Sequence, residues 1–421
     1  MGFRIVHTSD WHLGQRLDRL DRSAEHRAFL EWLLGVLDEE RPALLAVCGD
    51  VFDTANPPVE AVGMLYGFLA RAHAKCPNIV VIGGNHDSGL RLDVVTPLLP
   101  GTGIRMIGAY PGNPDGCVVP VTVDGKRLGH VAAVPYLRPY DLATARSGET
   151  EAERTGRIVE SVAARFAEVQ DAVEAVHKEG EALVVLGHLF VVGGAQTPES
   201  ERPVQVEAGR IAGVPPQALG NRATCILLGH LHRPQQVKAE VPVLYAGAPI
   251  PLTFDEASYA SGIAVVDVDD AGRVTGIRRR TTPRMLDLVE IEGTLDECRS
   301  RLCELATRES KEEAADREVA GCRRGLVKVT VRLDGPVPGL REELAALLDG
   351  SGWTLAMVRR EASAEWVEET AAAGELLDQL LPDEVFRRKY ARQYPGQSPS
   401  PVLVDTFHEL LEEEQASEGE P

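Results

Sequence analysis

The sequence has few of the features that mark membrane, secreted or strongly basic proteins. No apolar run approaches the roughly eighteen residues that a membrane span needs, so we expect none. The 7 cysteines are scattered without a C-x-x-C pair, which favours small buried side chains in a reducing compartment over disulfides or thiolate metal sites. The N-terminus leads directly into an apolar run and has no signal-peptide pattern, so we expect a cytoplasmic protein with no membrane contact.

Positive charge is also scarce. The chain has 44 Lys and Arg against 64 Asp and Glu, a net charge of -20 at pH 7, which argues against a broad basic face for nucleic acid. It does not exclude a nucleic-acid substrate, because metal ions can neutralise a carboxylate-rich site and a partner can supply a basic surface. The length of 421 residues predicts two or three globular domains.

The most informative stretch is at residues 83–87, where the sequence reads Gly-Gly-Asn-His-Asp. It follows the β-branched run Ile79–Ile82, which predicts a buried strand. Asn85 offers an amide oxygen, His86 an imidazole that can donate a proton, and Asp87 a carboxylate that can orient its neighbours. Polar residues just past the carboxyl end of a strand are where open α/β sheets place their active sites.

The same arrangement recurs after the apolar runs 3–6, 44–48, 183–186 and 225–228, each of which predicts a strand. Together these strand ends supply the candidate site residues Asp10, His12, Asp50, Asp53, Asn85, His86, Asp87, His188, His230 and His232. His130 precedes its apolar run instead of following it, so we set it aside. His177 lies near a predicted helix end, where a histidine often complements the helix dipole.

This mixture of imidazoles, carboxylates and one amide suits two first-row divalent ions, Mn²⁺ especially. Two such ions about 3.5–4 Å apart form the clamp that is used in phosphoester hydrolysis. A carboxylate is needed between them, because it can bridge two cations while cancelling charge. Asp50 is the natural candidate for this bridge.

The chain after Pro283 follows a different pattern. Alternating strands and helices are predicted between 285 and 359, which indicates a small α+β module without a ligand-like cluster. Two helical segments with apolar faces follow within 374–414, and a proline-rich stretch that no helix can cross separates them. We therefore expect domains at 1–283 and 284–365 and a pair of C-terminal helices at 374–414.

The ordered set of motifs resembles the signature of the calcineurin-like metallophosphoesterases. The motifs are Asp10-x-His12, Gly49-Asp50-x-x-Asp53, Gly84-Asn85-His86-Asp87, Gly187-His188 and Gly229-His230-x-His232. The longer strings at 7–15, 49–54 and 247–256 resemble the SbcD family, the nuclease subunits of the bacterial SbcCD complexes. The likeness covers residues 1 to about 260 strongly, and beyond Pro283 it rests on layout.

The resemblance implies an α/β (α+β) fold, a two-sheet sandwich flanked by helices, with the metal site on one rim, a small α+β capping domain and C-terminal helices. It implies two Mn²⁺, with Mg²⁺ as the alternative metal. One ion would be held by Asp10, His12, Asp50 and His232, and the other by Asp50, Asn85, His188 and His230.

The resemblance also implies roles for the remaining candidates. His86 would protonate the leaving oxygen or stabilise the transition state, with Asp53 as its orienting partner. Asp87 would support the ligands without binding metal.

By the same resemblance, the chain would be a metal-dependent DNA nuclease, an exonuclease on double-stranded DNA and an endonuclease on single-stranded and hairpin DNA. It would act with the SbcC ATPase, two copies of each, in DNA repair and recombination. The capping domain would help admit DNA, and the C-terminal helices would bind the base of the coiled coil of the ATPase. A homodimer is expected near the N-terminal helices, with some support from the apolar residues of Ser23–Leu37.

Two other interpretations remain open. The first is a small-molecule phosphodiesterase or protein phosphatase with the same dinuclear core, which the acidic net charge would fit better. The second is a non-catalytic scaffold that kept the fold and lost the metals, and the complete ligand set argues against it.

Overall fold

The computed structural model describes most of the chain. The described residues are 2–138, 142, 148–195, 205–206, 209–210, 213–307, 325–333, 335, 337–362, 386, 389–390, 399, 403–404 and 407. The segment predicted to form the C-terminal helices, 374–414, falls almost wholly outside them. Two of its residues are described, Phe386 and Phe407, whose rings stack with centroids 4.4 Å apart.

The described strands number nineteen in chain order. They are β1 (Phe3–Thr8), β2 (Arg16–Leu17), β3 (Leu20–Asp21), β4 (Leu44–Cys48), β5 (Ile79–Ile82), β6 (Ile104–Ile107), β7 (Val118–Val123), β8 (Lys126–Ala133), β9 (Ala182–His188), β10 (Gln205–Val206), β11 (Gly209–Arg210), β12 (Cys225–Gly229), β13 (Gln235–Val237), β14 (Val243–Tyr245), β15 (Gly262–Val268), β16 (Val274–Thr281), β17 (Asp287–Thr294), β18 (Gly325–Leu333) and β19 (Trp353–Ala362). The described α-helices are α1 (Ser23–Glu40), α2 (Val59–Ala72), α3 (Gly89–Asp93), α4 (Glu151–Glu174), α5 (Leu295–Thr307) and α6 (Leu340–Ala346).

Two six-stranded sheets form the large domain. The first has the order β16-β15-β1-β4-β5-β6, in which β1, β4, β5 and β6 are parallel. The second has the order β13-β14-β12-β9-β8-β7, in which β14, β12, β9 and β8 are parallel. Because parallel strands point the same way, their carboxyl ends share one edge of each sheet, and the motif residues lie at these edges.

The central strands are buried on both faces, which explains why they read as continuous apolar runs. In β4, Ala46 and Cys48 face the core between the two sheets, together with Val184 and Leu186 of β9. The alternate residues of β4 face the helices α1 and α2 on the outer side of the first sheet. The two-sheet sandwich flanked by helices that we predicted is therefore confirmed.

The helix α1 uses its apolar face inside the molecule. Phe29, Leu33 and Leu37 are buried against the first sheet and α2. These residues are therefore not available to form a dimer, and the support that we expected from this helix is withdrawn.

The module after Pro283 is a three-stranded parallel sheet, β17-β18-β19, with α5 and α6 packed on one face. Its strands and helices lie where the sequence predicted them. Leu288, Leu326 and Ala356 on its other face pack against Leu17 and Phe254 of the large domain. Within the described residues, no helix is both long enough and apolar enough to cross a bilayer.

Candidate metal centre

The carboxyl ends of β1 and β4 in the first sheet meet those of β9 and β12 in the second. The loops after these strands are joined by hydrogen bonds: the backbone N–H of Asp10 donates to the carbonyl of Gly49 at 3.0 Å. The backbone N–H of His230, from the second sheet, donates to Asp10 Oδ1 at 2.9 Å. The candidate residues from both sheets therefore surround one point on the rim.

Glycines in the motifs allow these loops to approach closely. A Cβ atom at Gly84 would lie 2.1 Å from Asp50 Oδ1, and one at Gly229 would lie 1.9 Å from the carbonyl oxygen of Cys48. Neither approach is possible for a residue with a side chain. The glycine before each ligand is thus required by packing and not only by the turn.

Four candidate residues have left-handed backbone conformations that side chains rarely adopt. Their φ angles are 53° at Asp10, 46° at His12, 48° at Asp50 and 98° at His230. Such conformations cost of order 1–3 kcal/mol each and persist where the surrounding structure enforces them. Here the strained residues all direct polar side chains to the same rim, which is typical of a functional site.

The side chains of Asp10, His12 and His232 form one group in which the ligand atoms lie within 4.8 Å of one another. All of them are buried. His12 Nε2 has no hydrogen-bond partner among the described residues, although it is buried, and it lies 3.7 Å from Asp50 Oδ2. An orphaned imidazole nitrogen that faces two carboxylates fits a missing cation.

A second group lies beside the first and shares Asp50 with it. His188 Nε2 is 3.3 Å from Asp50 Oδ2 and 2.9 Å from Asn85 Oδ1, and His230 Nδ1 is 3.0 Å from the same amide oxygen. Ligand atoms of one ion lie about 3 Å apart because each is roughly 2 Å from the metal. The donor set therefore fits a second ion, with Asp50 between the two groups.

The charges of these groups are strongly coupled. Burial alone would raise the pKa of Asp50, but His188, His12 and His86 hold it well below its usual range. Burial opposes the charge on His188, and Asp50 and Asp10 overcome it and raise its pKa to about 9. Burial and the neighbouring His188 lower the pKa of His230 to about 3. The pocket thus holds a buried carboxylate that attracts positive charge.

Each of three imidazoles is held by a hydrogen bond on its Nδ1 side. His188 Nδ1 donates to the backbone carbonyl of Cys48 at 2.8 Å. His12 Nδ1 lies 3.1 Å from the Asp53 carboxylate, and His232 Nδ1 lies 3.0 Å from Glu256 Oε1. Such bonds fix the tautomer that presents Nε2 to a metal. The sequence did not point to Glu256, because no strand-end motif contains it.

The role that we predicted for the Asp53 carboxylate needs a correction. It was expected to orient His86, but it contacts His12 instead. His86 Nδ1 donates to the backbone carbonyl of Asp53 at 2.8 Å, so it is the main chain that orients His86. The His86 side chain is exposed at the mouth of the site, with its ring 4.8 Å from that of His12.

Asp87 lies beneath the site and joins its loops. Its carboxylate accepts hydrogen bonds from the backbone N–H groups of Val51, Phe52 and Gly84 at 3.1, 2.9 and 2.8 Å. Burial and the nearby Asp50 raise the pKa of Asp87 to about 6. The supporting position expected for this residue agrees with these contacts.

The histidines that we set aside lie elsewhere. His130 Nδ1 is 3.3 Å from Glu181 Oε2, and the ring of His177 is 5.9 Å from that of His130. They form a separate cluster at the amino end of β9 and do not face the Asp50 groups.

The comparisons with known proteins agree with this site. The model of the calcineurin-like phosphoesterase family matches residues 3–234. The model of the type 5 capsule protein repressor C-terminal domain matches residues 284–394.

Three relatives carry the same name, which is that of the SbcD component of the nuclease SbcCD. The protein of Rhodobacter capsulatus is 36% identical over 274 residues, which are 63% of this chain and 66% of that protein. The protein of Escherichia coli K12 is 27% identical over 420 residues, 98% of this chain and 100% of that protein. The protein of Bacillus subtilis is 32% identical over 275 residues, 65% of this chain and 68% of that protein. The chain therefore belongs to the calcineurin-like phosphoesterases, which are dinuclear metal enzymes, and within them to the SbcD family.

Proposed function

We propose that this chain is the nuclease subunit of an SbcCD complex, which hydrolyses DNA phosphodiesters with two metal ions. It would act as an exonuclease on double-stranded DNA and as an endonuclease on single-stranded and hairpin DNA. The observation that carries the proposal is the convergence of carboxylates, imidazoles and an amide from both sheets around the buried Asp50. The names of the relatives supply the nucleic-acid substrate.

We assign the first ion to Asp10, His12, Asp50 and His232, and the second to Asp50, Asn85, His188 and His230. The spacing of the ligand atoms within the two groups supports this division. Mn²⁺ suits a site that mixes imidazole with carboxylate and amide oxygen, and Mg²⁺ is the alternative. When bound, the two ions would activate water and stabilise the charge that develops on the phosphate.

His86 is the proposed proton donor to the leaving oxygen. Its Nδ1 is held by the carbonyl of Asp53, and its backbone N–H donates to Asp50 Oδ1 at 2.8 Å. These two bonds fix the ring at the mouth of the site without using Nε2, which can exchange a proton with a substrate. Its exposure fits contact with substrate and not metal binding.

The domain assignment is part of the proposal. Residues 1–283 would form the nuclease domain, and 284–365 would cap it and help admit DNA. The contacts of Leu288 and Leu326 with Leu17 and Phe254 support this role for the capping sheet. Arg341 of the capping domain also lies 3.5 Å from Asp18 of the large domain.

The C-terminal segment 374–414 is the proposed docking element for an SbcC-type ATPase, in an assembly with two copies of each protein. Truncation after Glu369 should leave Mn²⁺-dependent cleavage of single-stranded DNA but abolish binding to the ATPase and ATP-stimulated cleavage of duplex DNA. Pull-down with the ATPase tests this. Full retention of binding by the truncated chain would show that the docking element lies elsewhere.

A homodimer is also proposed, with its interface on α3 and the short turn after it. Leu90, Val94 and Leu98 recur at helical spacing and are 83%, 68% and 79% exposed. A stripe of large apolar side chains on the surface is costly unless another protein covers it. A second copy of the chain is the proposed cover, in place of the interface that was first expected on α1.

The experiment that tests the proposed function is a nuclease assay of the purified chain with and without its ATPase partner. Mn²⁺ should support cleavage of single-stranded DNA by the chain alone, and the partner with ATP should extend cleavage to duplex ends. Absence of DNA cleavage under both conditions, with metal bound, would contradict the proposal.

A further inference from the structure

A single turn, Phe254–Glu256, touches both the metal site and the capping domain. Its last residue, Glu256, is only 1% exposed and contacts His232. Its first residue, Phe254, packs in the cluster formed with Leu288, Leu326 and Ala356 of the capping sheet. Two residues of one short turn thus face two different parts of the molecule.

The Glu256 carboxylate is fixed on both of its oxygens. Oε1 lies 3.0 Å from His232 Nδ1 and accepts from Thr253 Oγ1 at 3.3 Å, and Oε2 accepts from the backbone N–H of Leu252 at 2.9 Å. A buried carboxylate with these partners holds the imidazole with its proton on Nδ1. Nε2 of His232 is then the nitrogen that can face an ion.

The turn is also tied on its far side. Arg284, at the start of the capping domain, donates to the carbonyl of Ala257 at 2.7 Å and to that of Tyr259 at 3.3 Å. The preceding loop is held by Gln15, which donates to the carbonyl of Leu252 at 3.0 Å. The position of the Glu256 carboxylate therefore depends on contacts from both domains.

We propose that Glu256 is the positioning residue that holds His232 on the first metal ion, and that this support depends on docking of the capping domain against Phe254. The inference rests on the proposed assignment of His232 to that ion. It means that displacement of the capping domain would loosen one metal ligand. The second ion would be spared, because the Nδ1 atom of its ligand His188 is held by the main chain of Cys48.

The first test is the Mn²⁺ binding isotherm of Glu256→Gln, measured from the electron paramagnetic resonance of free Mn²⁺. The amide cannot serve both partners: if its oxygen accepts from His232, its NH₂ group meets the N–H of Leu252. We expect one of the two dissociation constants to rise roughly 10–100-fold while the other is unchanged, as for other residues that support metal-binding histidines.

The matched control is Glu160→Gln, the same change at an exposed position on α4, which should bind both ions as the unaltered protein does. If Glu256→Gln also binds both ions unaltered, the positioning role is wrong. That outcome is distinct from failure of the proposed function, which would show as two bound ions without DNA cleavage in the unaltered protein.

The second test concerns the capping domain. Leu288→Ala and Phe254→Ala remove opposite sides of the same apolar contact, and each should raise the same dissociation constant as Glu256→Gln, by a smaller factor. Leu288 does not touch the metal site, so an effect there requires coupling through the turn.

Val169→Ala, in the core under α4, controls for general destabilisation, since it makes a cavity of similar kind away from the turn. Thermal unfolding in EDTA confirms that each variant is folded at the temperature of the titration. Unchanged Mn²⁺ binding in folded Leu288→Ala and Phe254→Ala would refute the coupling.

Discussion

His188 Nε2 lies 3.3 Å from Asp50 Oδ2, so the end of β9 in the second sheet meets the end of β4 in the first. The contact places the one buried carboxylate that both ligand groups share at the junction of the two sheets. Strain at Asp50, with φ of 48°, and the closely packed glycine at Gly84 both serve this position. The first prediction therefore concerns Asp50.

Asp50→Asn should abolish DNA hydrolysis while the protein remains folded. Asparagine fills the same space and can still accept the hydrogen bond from the backbone of His86, but it removes the charge that would bridge two cations. Cleavage of single-stranded DNA with Mn²⁺ and metal content are the measurements. Substantial activity with both ions bound would show that Asp50 is not the bridge.

His86→Asn should leave metal content nearly unchanged and lower turnover about 10²–10⁴-fold, the usual contribution of a proton donor. The reason is that His86 is exposed at the mouth of the site and its contacts are with the main chain of Asp53 and with Asp50. Metal analysis and single-turnover cleavage together check it. If the variant loses an ion, His86 is a ligand and not the proton donor.

Asp53→Asn should act on metal binding and not on proton transfer. Its carboxylate contacts His12 Nδ1 at 3.1 Å, whereas the carbonyl that holds His86 belongs to the main chain and survives the substitution. We expect Mn²⁺ affinity to fall roughly 10–100-fold and turnover to recover when Mn²⁺ is raised to saturation. Turnover that stays low at saturating Mn²⁺ would instead assign the carboxylate to His86.

Leu90→Glu combined with Val94→Glu should convert the proposed dimer to a monomer. Two charges in an apolar interface would have to be buried without partners. Light scattering at micromolar concentration measures the mass, and Val176→Glu, at an isolated exposed valine that is 47% exposed, is the control. A dimer that survives the double substitution, or an unaltered protein that is already monomeric, rules out this interface.

His26→Leu should flatten the dependence of stability on pH. Burial lowers the pKa of His26 in the folded protein to about 3, from about 6.5 when unfolded. The unfolded chain thus binds the proton first, and the free energy of unfolding falls as pH drops below about 6.5 toward 3.

Each such group contributes a slope of about 1.4 kcal/mol per pH unit within that window, and the variant should lose one such contribution. Urea unfolding in EDTA at several pH values between about 4 and 6 measures the slope for both proteins. Carboxylates and His7, whose pKa burial also lowers to about 3, affect both proteins alike and cancel in the comparison. Equal slopes would show that His26 is charged in the folded state.

Much of the fold and of the candidate site could be predicted from the sequence, because both are encoded locally. Strands buried on both faces give unbroken apolar runs, and a parallel strand must end at the rim where ligands collect. Asp10, Asp50 and His188 follow such runs directly, so their convergence could be anticipated. The strands and helices of the capping domain could be located by the same kind of local pattern.

Contacts between residues distant in sequence could not be predicted in this way. Nothing near Glu256 indicates that its partner is His232, because that pairing depends on how the loop after β14 folds back over the site. The pattern of Ser23–Leu37 shows an apolar face, but periodicity does not tell whether that face meets the core or another molecule. The choice between the side chain and the main chain of Asp53 as the partner of His86 needed coordinates.

Hydrolysis of hairpin DNA by the purified chain with Mn²⁺, measured beside a chromogenic bis-nitrophenyl phosphodiester, tests the central claim most directly. The account predicts that hairpin DNA is cleaved with a higher kcat/KM than the small ester, that cleavage requires the metal, and that Asp50→Asn removes it. Hydrolysis of the small ester with intact hairpin and single-stranded DNA would contradict the account and indicate a small-molecule phosphodiesterase built on the same metal core.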